Sequence, residues 1–390
     1  MKHRSAIAAG LILAGLPLLR AQLNIPSDGS DGAFSPTSNT IVNLANAVTG
    51  LWNDNNSANT GKGIWDPAKK AIVFKYTSVN IPSGVTVTFA NHPNRPPVVW
   101  LVSGNVTING TLSLNGQNAG GSDFLAEPGP GGFRGGASGG SVGGAGLGIA
   151  GGALASPLSG AYAASYGNTQ IVPLIGGSGG YRGGGGGGAI LIASSGTITV
   201  GGEIRSNGGS GIYVSTGSGS SGAIRLVADK IAGSGILDAS NDGRLRLEAK
   251  SVPSGTLRTY PSTIAVAPLV APGTSVPILW PAEDAPTCRI YQVGDTENNV
   301  PANPTAALGA SVDVGINVNS NVPVKIRTTN FPVDGTGVVQ VRVAGKFVGN
   351  ATWVTATLDA GGTFATATWT ASVNFVASAY TTLQAKATVE

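Results

Sequence analysis

The chain has 390 residues and a formal net charge of +4; 41% of its residues are hydrophobic, 11% are charged and 61 are glycine. This length is enough for two or three domains with buried cores, and a hydrophobic content this high with so few charges excludes a simple disordered chain. The frequent Thr, Val, Ile, Ser and Asn residues, without long helical patterns, predict an all-β protein.

Residues 1–21 have the pattern of a secretory signal peptide. A charged start, Lys2 to Arg4, is followed by an apolar run, Ser5 to Leu19, that is too short to span a bilayer comfortably. We expect cleavage after Ala21, with an uncleaved membrane anchor as the alternative. The sequence therefore predicts a secreted or cell-surface protein with no membrane span in the mature chain.

Loss of this segment removes Lys2, Arg4 and Arg20, so the net charge falls from +4 to +1. Such a small charge argues against a nucleic-acid partner, which needs a clustered basic face. The mature chain keeps one cysteine, Cys288, and one histidine, His92. A single cysteine forms no internal disulfide, so packing and backbone hydrogen bonds must hold the fold together.

Residues 22–70 are predicted to be an N-terminal cap or lead-in. They contain the stretch SDGSDG at 27–32, which has some character of a calcium loop but lacks the acidic spacing of a complete site. A turn is the preferred interpretation.

Residues 71–260 contain a repeat whose copies alternate apolar with polar residues, the period of a strand with one buried face. The copies lie at 99–116, 190–208, 223–240 and 244–249. Each reads as short strands separated by Gly/Asn corners, which predicts one turn of a parallel β-helix; a β-sandwich with coincidental similarity is the alternative. With one inserted residue in the second copy, the alignment predicts two interior ladders: Val99, Ile190, Ile224 and Leu245, then Leu101, Ile192, Leu226 and Leu247. It places Trp100, Leu191, Arg225 and Arg246 together on the outer face.

A glycine-rich insert at 117–188, which holds 27 of the 61 glycines, interrupts this repeat after Asn115-Gly116. A second insert, 209–221, begins after the equivalent Asn207-Gly208, so we expect both inserts to pack together at one corner and to form a surface. A flexible linker is the alternative. The candidate contact residues for a glycan or partner protein are tyrosines, which alternatively only anchor the insert: Tyr162, Tyr166, Tyr181 and Tyr213.

The pattern GAI-x-L-x-A followed by G-x-I and G, with glycine-rich inserts after a signal peptide, resembles bacterial secreted and cell-surface right-handed β-helix proteins of the pectin-lyase-like fold. The resemblance covers about residues 70–260 and rests on structural motifs, so it implies architecture more than activity.

After a proline-rich linker at 261–286, residues 287–390 contain seven strand-like runs, which predict an immunoglobulin-like β-sandwich. Trp353 or Trp369 is the expected core tryptophan. The predicted fold is thus all-β, a right-handed parallel β-helix with a long glycine-rich insert followed by this sandwich.

No catalytic motif or metal-ligand spacing is recognisable in the sequence, and the G-x-G-x-x-G match at 146–151 lacks the flanking strand, helix and nearby acid of a dinucleotide site. Glycoside hydrolysis needs two positioned carboxylates, and the acids of the repeats (Glu203, Asp229, Asp238, Asp242 and Glu248) fall in different columns. His92, flanked by prolines, reads as a loop residue rather than a base. Two hypotheses remain: a non-catalytic structural, adhesive or glycan-contacting surface protein with polysaccharide or cell-surface partners, and a polysaccharide lyase or hydrolase.

Overall fold

The computed structural model describes residues 23–54, 59–120, 125–136, 146–149, 151, 166–212, 217–240, 242–251, 257–261, 265–267, 276–301, 314–316, 318, 320–345, 349–350, 352–375 and 381–390. In these residues the protein is all-β, with a single short 3-10 turn at Leu44–Asn46. The predicted signal peptide, residues 1–21, lies outside the described residues. No helix in the described part of the chain is long and apolar enough to cross a membrane.

Two sheets, here called the long sheet and the short sheet, contain the strands between Ala33 and Ala267. The long sheet has eleven strands: β1 (Ala33–Phe34), β3 (Val48–Thr49), β4 (Ile64–Asp66), β5 (Ala71–Tyr76), β6 (Ser78–Ile81), β8 (Val98–Val102), β9 (Val106–Ile108), β11 (Ala189–Val200), β13 (Ala223–Ala232), β15 (Arg244–Ser251) and β17 (Ala265–Ala267). The short sheet has six: β2 (Thr40–Asn43), β7 (Thr86–Ala90), β10 (Thr111–Ser113), β12 (Glu203–Arg205), β14 (Ile236–Asp238) and β16 (Arg258–Tyr260).

Almost all strand pairs in these two sheets are parallel; β4 and β5 form the one antiparallel pair among the described residues. From β10 to β17 the chain alternates strictly between the short sheet and the long sheet. The sheets include strands before residue 71 and after residue 260, so the segment predicted as an N-terminal cap contributes to both of them.

A hydrophobic core lies between the two sheets because each short strand turns its middle residue inward. Leu112, Ile204 and Leu237 are fully buried there, in neighbouring strands of the short sheet. The facing residues of the long sheet come from alternate positions of β11, β13 and β15, as the period of two predicts.

The predicted ladders are correct for three of the four repeats and wrong for the first. Ile190 pairs with Ile224 and then Leu245 in neighbouring strands, and Ile192 pairs with Leu226 and Leu247 in the same way. Val98, not Val99, pairs with Ile190.

Trp100, predicted to face outward, pairs with Ile192 and is fully buried in the core. Paired residues of the first and second repeats are 92 positions apart in the sequence. This holds for the strand pairs and also at the corner, where Asn207 donates its backbone N–H to Asn115 Oδ1. No residue is inserted between the two repeats, and a one-residue slip moves every side chain of a strand to the opposite face.

The outer face of the long sheet is also buried. Leu191, predicted to face outward under little constraint, is 1% exposed. It belongs to a second cluster with Val99 and Leu101, over which Leu23 from the N-terminal segment and Leu279 from the proline-rich segment pack. Two chain segments distant in sequence therefore cover this face of the sheet.

Two four-stranded antiparallel sheets form the C-terminal part. The first contains β18 (Thr287–Val293), β19 (Asn321–Thr329), β23 (Thr357–Leu358) and β24 (Thr366–Asn374), and the second contains β20 (Gly337–Gly345), β21 (Gly349–Asn350), β22 (Val354–Thr355) and β25 (Thr381–Val389). One hydrophobic cluster with side chains from both sheets forms their core. Of the seven strand-like runs predicted here, the one at 311–318 has four of its eight residues outside the described part of the chain.

Trp369 is the core tryptophan of this part. It is 5% exposed, and its Nε1–H donates to Thr328 Oγ1 at 2.9 Å. The other candidate, Trp353, instead packs between two cations, with the Arg342 guanidinium 4.5 Å and the Lys386 ammonium 4.6 Å from the ring centroid.

Candidate functional site

The glycine-rich insert leaves the short sheet after β10 and returns to the long sheet at β11, and its centre is the run Gly183–Gly188. Successive N–H groups of this run donate to different segments: Gly185 to Gln117, Gly186 to Phe133 and Gly187 to Ser220. The pattern repeats every third residue. Gly184 donates to Gly217, in the same segment as Ser220, and Gly188 donates to Leu114, near Gln117. A direction that recurs every third residue is typical of an extended polyproline II-type backbone, which satisfies its polar groups only through neighbours.

The carbonyl groups of the same run bind further segments. Gly184 and Gly187 accept from Gly180 and Gly177, again three residues apart, and Gly185 accepts from Gly209. The run is thus surrounded by backbone on several sides, and its groups are paired as a buried backbone requires.

Glycine is needed here because backbones occupy the space of side chains. A Cβ placed on Gly176 would lie 2.6 Å from the carbonyl oxygen of Gly187, and one on Gly132 would lie 2.6 Å from the same oxygen. Cβ atoms on Gly183 and Gly184 would overlap the backbone of Gly217 and Gly209. The glycines form a core made of peptide groups, so the flexible-linker alternative does not fit the described part of the insert.

The two inserts pack together, which confirms the prediction for their described residues. Gly217 donates to the carbonyl of Tyr181, Ser220 donates to that of Ser178, and Ala119 donates to that of Ser210. The equivalent corners are hydrogen-bonded too, from Gly116 N–H to the carbonyl of Asn207 at 2.8 Å.

Two of the four candidate tyrosines are described, and both are packed into the insert. Tyr181 is 6% exposed. The Tyr166 hydroxyl donates to the carbonyl of Gly176 at 2.6 Å, and burial raises the pKa of this phenol. Both positions favour the anchoring alternative over contact with a ligand; Tyr162 and Tyr213 lie outside the described residues.

Arginines of β13 and β15 fasten the insert and the proline-rich segment to the long sheet. Arg244 donates to the carbonyls of Tyr166 and Ile175 at 3.0 and 2.9 Å. Arg225 and Arg246 both bind Glu248 Oε1 at 2.7 Å. The sequence places Arg225 and Arg246 on the outer face of the sheet, and Arg225 is only 2% exposed there. They are covered because the insert and the proline-rich segment lie over this part of the sheet.

A cleft of about 490 Å³ lies at the base of the insert, between its first segment and the short sheet. Thr88 and Phe89 of β7 and Ser113 of β10 contribute to one side, and Glu127 and Arg134 of the insert to the other. Asn91 and Arg95 from the loop after β7, together with Asn115 and Gln117 at the start of the insert, complete the polar lining.

Glu127 organises the charges of this cleft. Its Oε1 accepts from Arg95 Nε at 2.6 Å and from Asn91 Nδ2 at 3.0 Å, and its Oε2 accepts from Arg95 Nη2 at 3.1 Å and from Arg134 Nε at 3.0 Å. Burial alone would raise the pKa of this carboxyl, but the hydrogen bonds and charges of Arg95, Asn91 and Arg134 hold the pKa below its usual value. Glu127 is therefore an ionised anchor with all its lone pairs engaged, which does not suit a general acid.

The sequence offered a weak signal for this cleft. Glu127 is one of two acidic residues in the insert, and Asn91 and Arg95 flank His92 in NHPNRPP. The contacts among them join residues about 32 to 36 positions apart, a pairing that no local pattern predicts.

Other candidates have structural roles. His92 Nδ1 accepts from the backbone N–H of Asn94, its ring lies 5.3 Å from that of Trp65, and partial burial lowers its pKa. In SDGSDG, Asp28 binds Lys75 Nζ at 3.0 Å and Asp31 accepts the backbone N–H groups of Lys75 and Gly61, which supports the turn interpretation. The described residues contain no group of three or more His, Cys, Asp or Glu placed to hold a metal ion.

Comparison of the chain with protein-family models, with curated proteins and with solved structures finds no match.

Proposed function

We propose that the chain is an exported, non-catalytic surface protein that acts in surface structure, adhesion or glycan contact through the glycine-rich face of a right-handed parallel β-helix. The observation that carries this proposal is the ordered glycine core, in which inserts from two neighbouring repeats are joined by backbone hydrogen bonds. Such a construction holds a large surface rigidly at one corner, which favours binding because little chain entropy is lost when a partner docks.

The β-helix assignment is supported by the alternation of the chain between two parallel sheets and by the ladders of aliphatic residues between them. In a solenoid, each turn buries its inner face only against its neighbours, and insertions on one side build the binding surface. For the C-terminal part we propose an immunoglobulin-like sandwich, a role as spacer or docking module, and Trp369 as its core tryptophan.

The non-catalytic part of the proposal rests on the arrangement of carboxylates. Hydrolysis of a glycosidic bond needs two carboxyl groups placed across the bond, one of them protonated. Among the described residues that line the cleft, Glu127 is the one acid, and it is held ionised by Arg95 and Arg134.

The test is to produce the full-length chain in a bacterial host, recover the exported form, sequence its N-terminus and apply it to a glycan array and to intact bacterial cells. We expect a new N-terminus near residue 22, binding to at least one glycan or cell surface, and no release of products from acidic or neutral polysaccharides with or without calcium. Product release that disappears on substitution of an Asp or Glu would overturn the non-catalytic assignment.

A further inference from the structure

We propose that the cleft at the base of the insert binds a neutral, hydroxyl-rich ligand, namely a neutral saccharide unit. This inference rests on the proposed function and assigns it a site and a ligand class. A volume of about 490 Å³ is within the range of small-molecule sites, roughly 300–1,000 Å³.

The charges of the cleft are already paired with one another. Arg95 donates two hydrogen bonds to the Glu127 carboxylate, at 2.6 and 3.1 Å, and Arg134 donates one to Glu127 Oε2 at 3.0 Å. An anionic ligand would have to compete with a carboxylate that is held in place by both guanidinium groups. This arrangement favours a neutral ligand over an acidic one.

The orientation of Asn91 leaves an unsatisfied acceptor behind the wall of the cleft. Its Nδ2 donates to Glu127 Oε1 and to the carbonyl of Pro128 at 2.8 Å, and both partners accept only, so the amide has one possible orientation. The remaining Oδ1 has almost no exposed surface and receives no hydrogen bond from the described residues, so a ligand hydroxyl reaches it only if the side chains around it shift. A hydroxyl group both donates and accepts, whereas a carboxylate only accepts and would lie close to Glu127.

The rest of the lining suits the same ligand class. The hydroxyl residues Thr88 and Ser113 and the exposed amide of Gln117 offer donors and acceptors, whereas the Phe89 ring is partly buried against the core, 6.3 Å from that of Trp100. Neutral donors and acceptors along the lining match the hydroxyl groups at the edge of a sugar ring, each of which both donates and accepts.

The experiment measures binding of the full-length exported chain to an array of neutral oligosaccharides and to a hexamer of galacturonic acid, followed by titration calorimetry with the best neutral binder. Two variants perturb the cleft. Ser113→Tyr fills it from an outward position of β10, and Gln117→Ala removes an exposed amide at its rim. Their matched controls are Ser218→Tyr and Gln170→Ala, at exposed positions of the two inserts outside the cleft lining.

We expect a neutral oligosaccharide to bind, Ser113→Tyr to weaken its binding by at least about tenfold, Gln117→Ala to weaken it several-fold, and both controls to bind like the parent chain. Neutral-glycan binding that Ser113→Tyr leaves unchanged would overturn the cleft assignment and leave the proposed function standing. Tighter binding of the galacturonic acid hexamer, lost in Ser113→Tyr, would keep the site and overturn the neutral ligand class. A chain that binds no glycan would overturn the cleft assignment and the glycan contact of the proposed function together.

Discussion

Trp100 shows how one residue sets the register of the first repeat. Its ring lies in the core between the sheets, 5.7 Å from Tyr76 and 5.6 Å from Phe34 between ring centroids. Val98 and Val102 lie on the same inward face as Trp100, so Val99 and Leu101 between them point outward. Leu23 and Leu279, from two other segments, cover these outward residues.

Replacement of Trp100 tests this register. Trp100→Ala would open a large cavity and should lower the free energy of unfolding by about 3–5 kcal/mol, measured by chemical denaturation. The control is Trp353→Ala, whose ring packs beside Arg342 and Lys386 rather than in a sheet core. If Trp100→Ala cost no more than the control, the ring would have to face outward.

A second residue-scale prediction concerns the glycine core. Gly184→Ala places a Cβ on the backbone of Gly209 and should destabilise the insert by about 1–3 kcal/mol or more, as overpacking does. Hydrogen exchange should show faster exchange of the amides at 183–188. Gly50→Ala is the control, since a Cβ there meets its nearest atoms at an ordinary 3.8 Å; unchanged protection in Gly184→Ala would contradict direct backbone packing.

At the scale of elements, Glu127 ties the first segment of the insert to the loop after β7. The pKa of its carboxyl is held below the ordinary 4.5. A depressed pKa means that the carboxylate stabilises the folded state above the pKa of the unfolded chain, and that this contribution is lost as the pH falls through the lower folded value.

Glu127→Gln should therefore remove a pH-dependent part of stability. In the parent chain, the free energy of unfolding should decrease as the pH falls below about 4.5, the usual pKa of this carboxyl. The variant should have a lower free energy of unfolding at pH 7, and this free energy should decrease less steeply as the pH falls. Urea unfolding between pH 3 and pH 7 measures both slopes. Equal slopes in the two proteins would show that Glu127 does not carry this linkage.

The elements themselves differ in how far the sequence predicts them. Alternation of Ile and Leu with polar residues predicts β13 and β15 and their mutual ladders, because the alternation fixes the inward face; the first half of β11, AILIA, is apolar throughout and takes its register from its alignment with β13. It fails for β8, where VVWLV is apolar at every position and both faces are buried, so alternation gives no register. The cleft could not be predicted, since its residues meet only when the insert folds back on β7.

For the whole molecule, the proline-rich segment predicted as a linker is also a packing element. Ile278 accepts a hydrogen bond from Arg225 Nη2 at 2.7 Å, and Leu279 is 7% exposed over the long sheet. Beyond this segment, the described residues that form the core of the two antiparallel sheets lie between Ile290 and Ala387. A hydrogen bond from Gln384 Nε2 to the carbonyl of Gly148, at 2.9 Å, joins the last strand to the glycine-rich insert.

A fragment of residues 286–390 should therefore fold by itself. It contains every strand of the two antiparallel sheets and leaves Ile278 and Leu279 with the rest of the chain. We expect a soluble β-rich fragment with one cooperative unfolding transition, measured by circular dichroism and by the fluorescence of the buried Trp369. Gln384→Ala should lower the free energy of unfolding of this fragment by about 1–3 kcal/mol, because it removes the buried 2.7 Å hydrogen bond from Arg342 Nε to Gln384 Oε1. A fragment that is molten or aggregated would mean that the two sheets need the glycine-rich insert to fold.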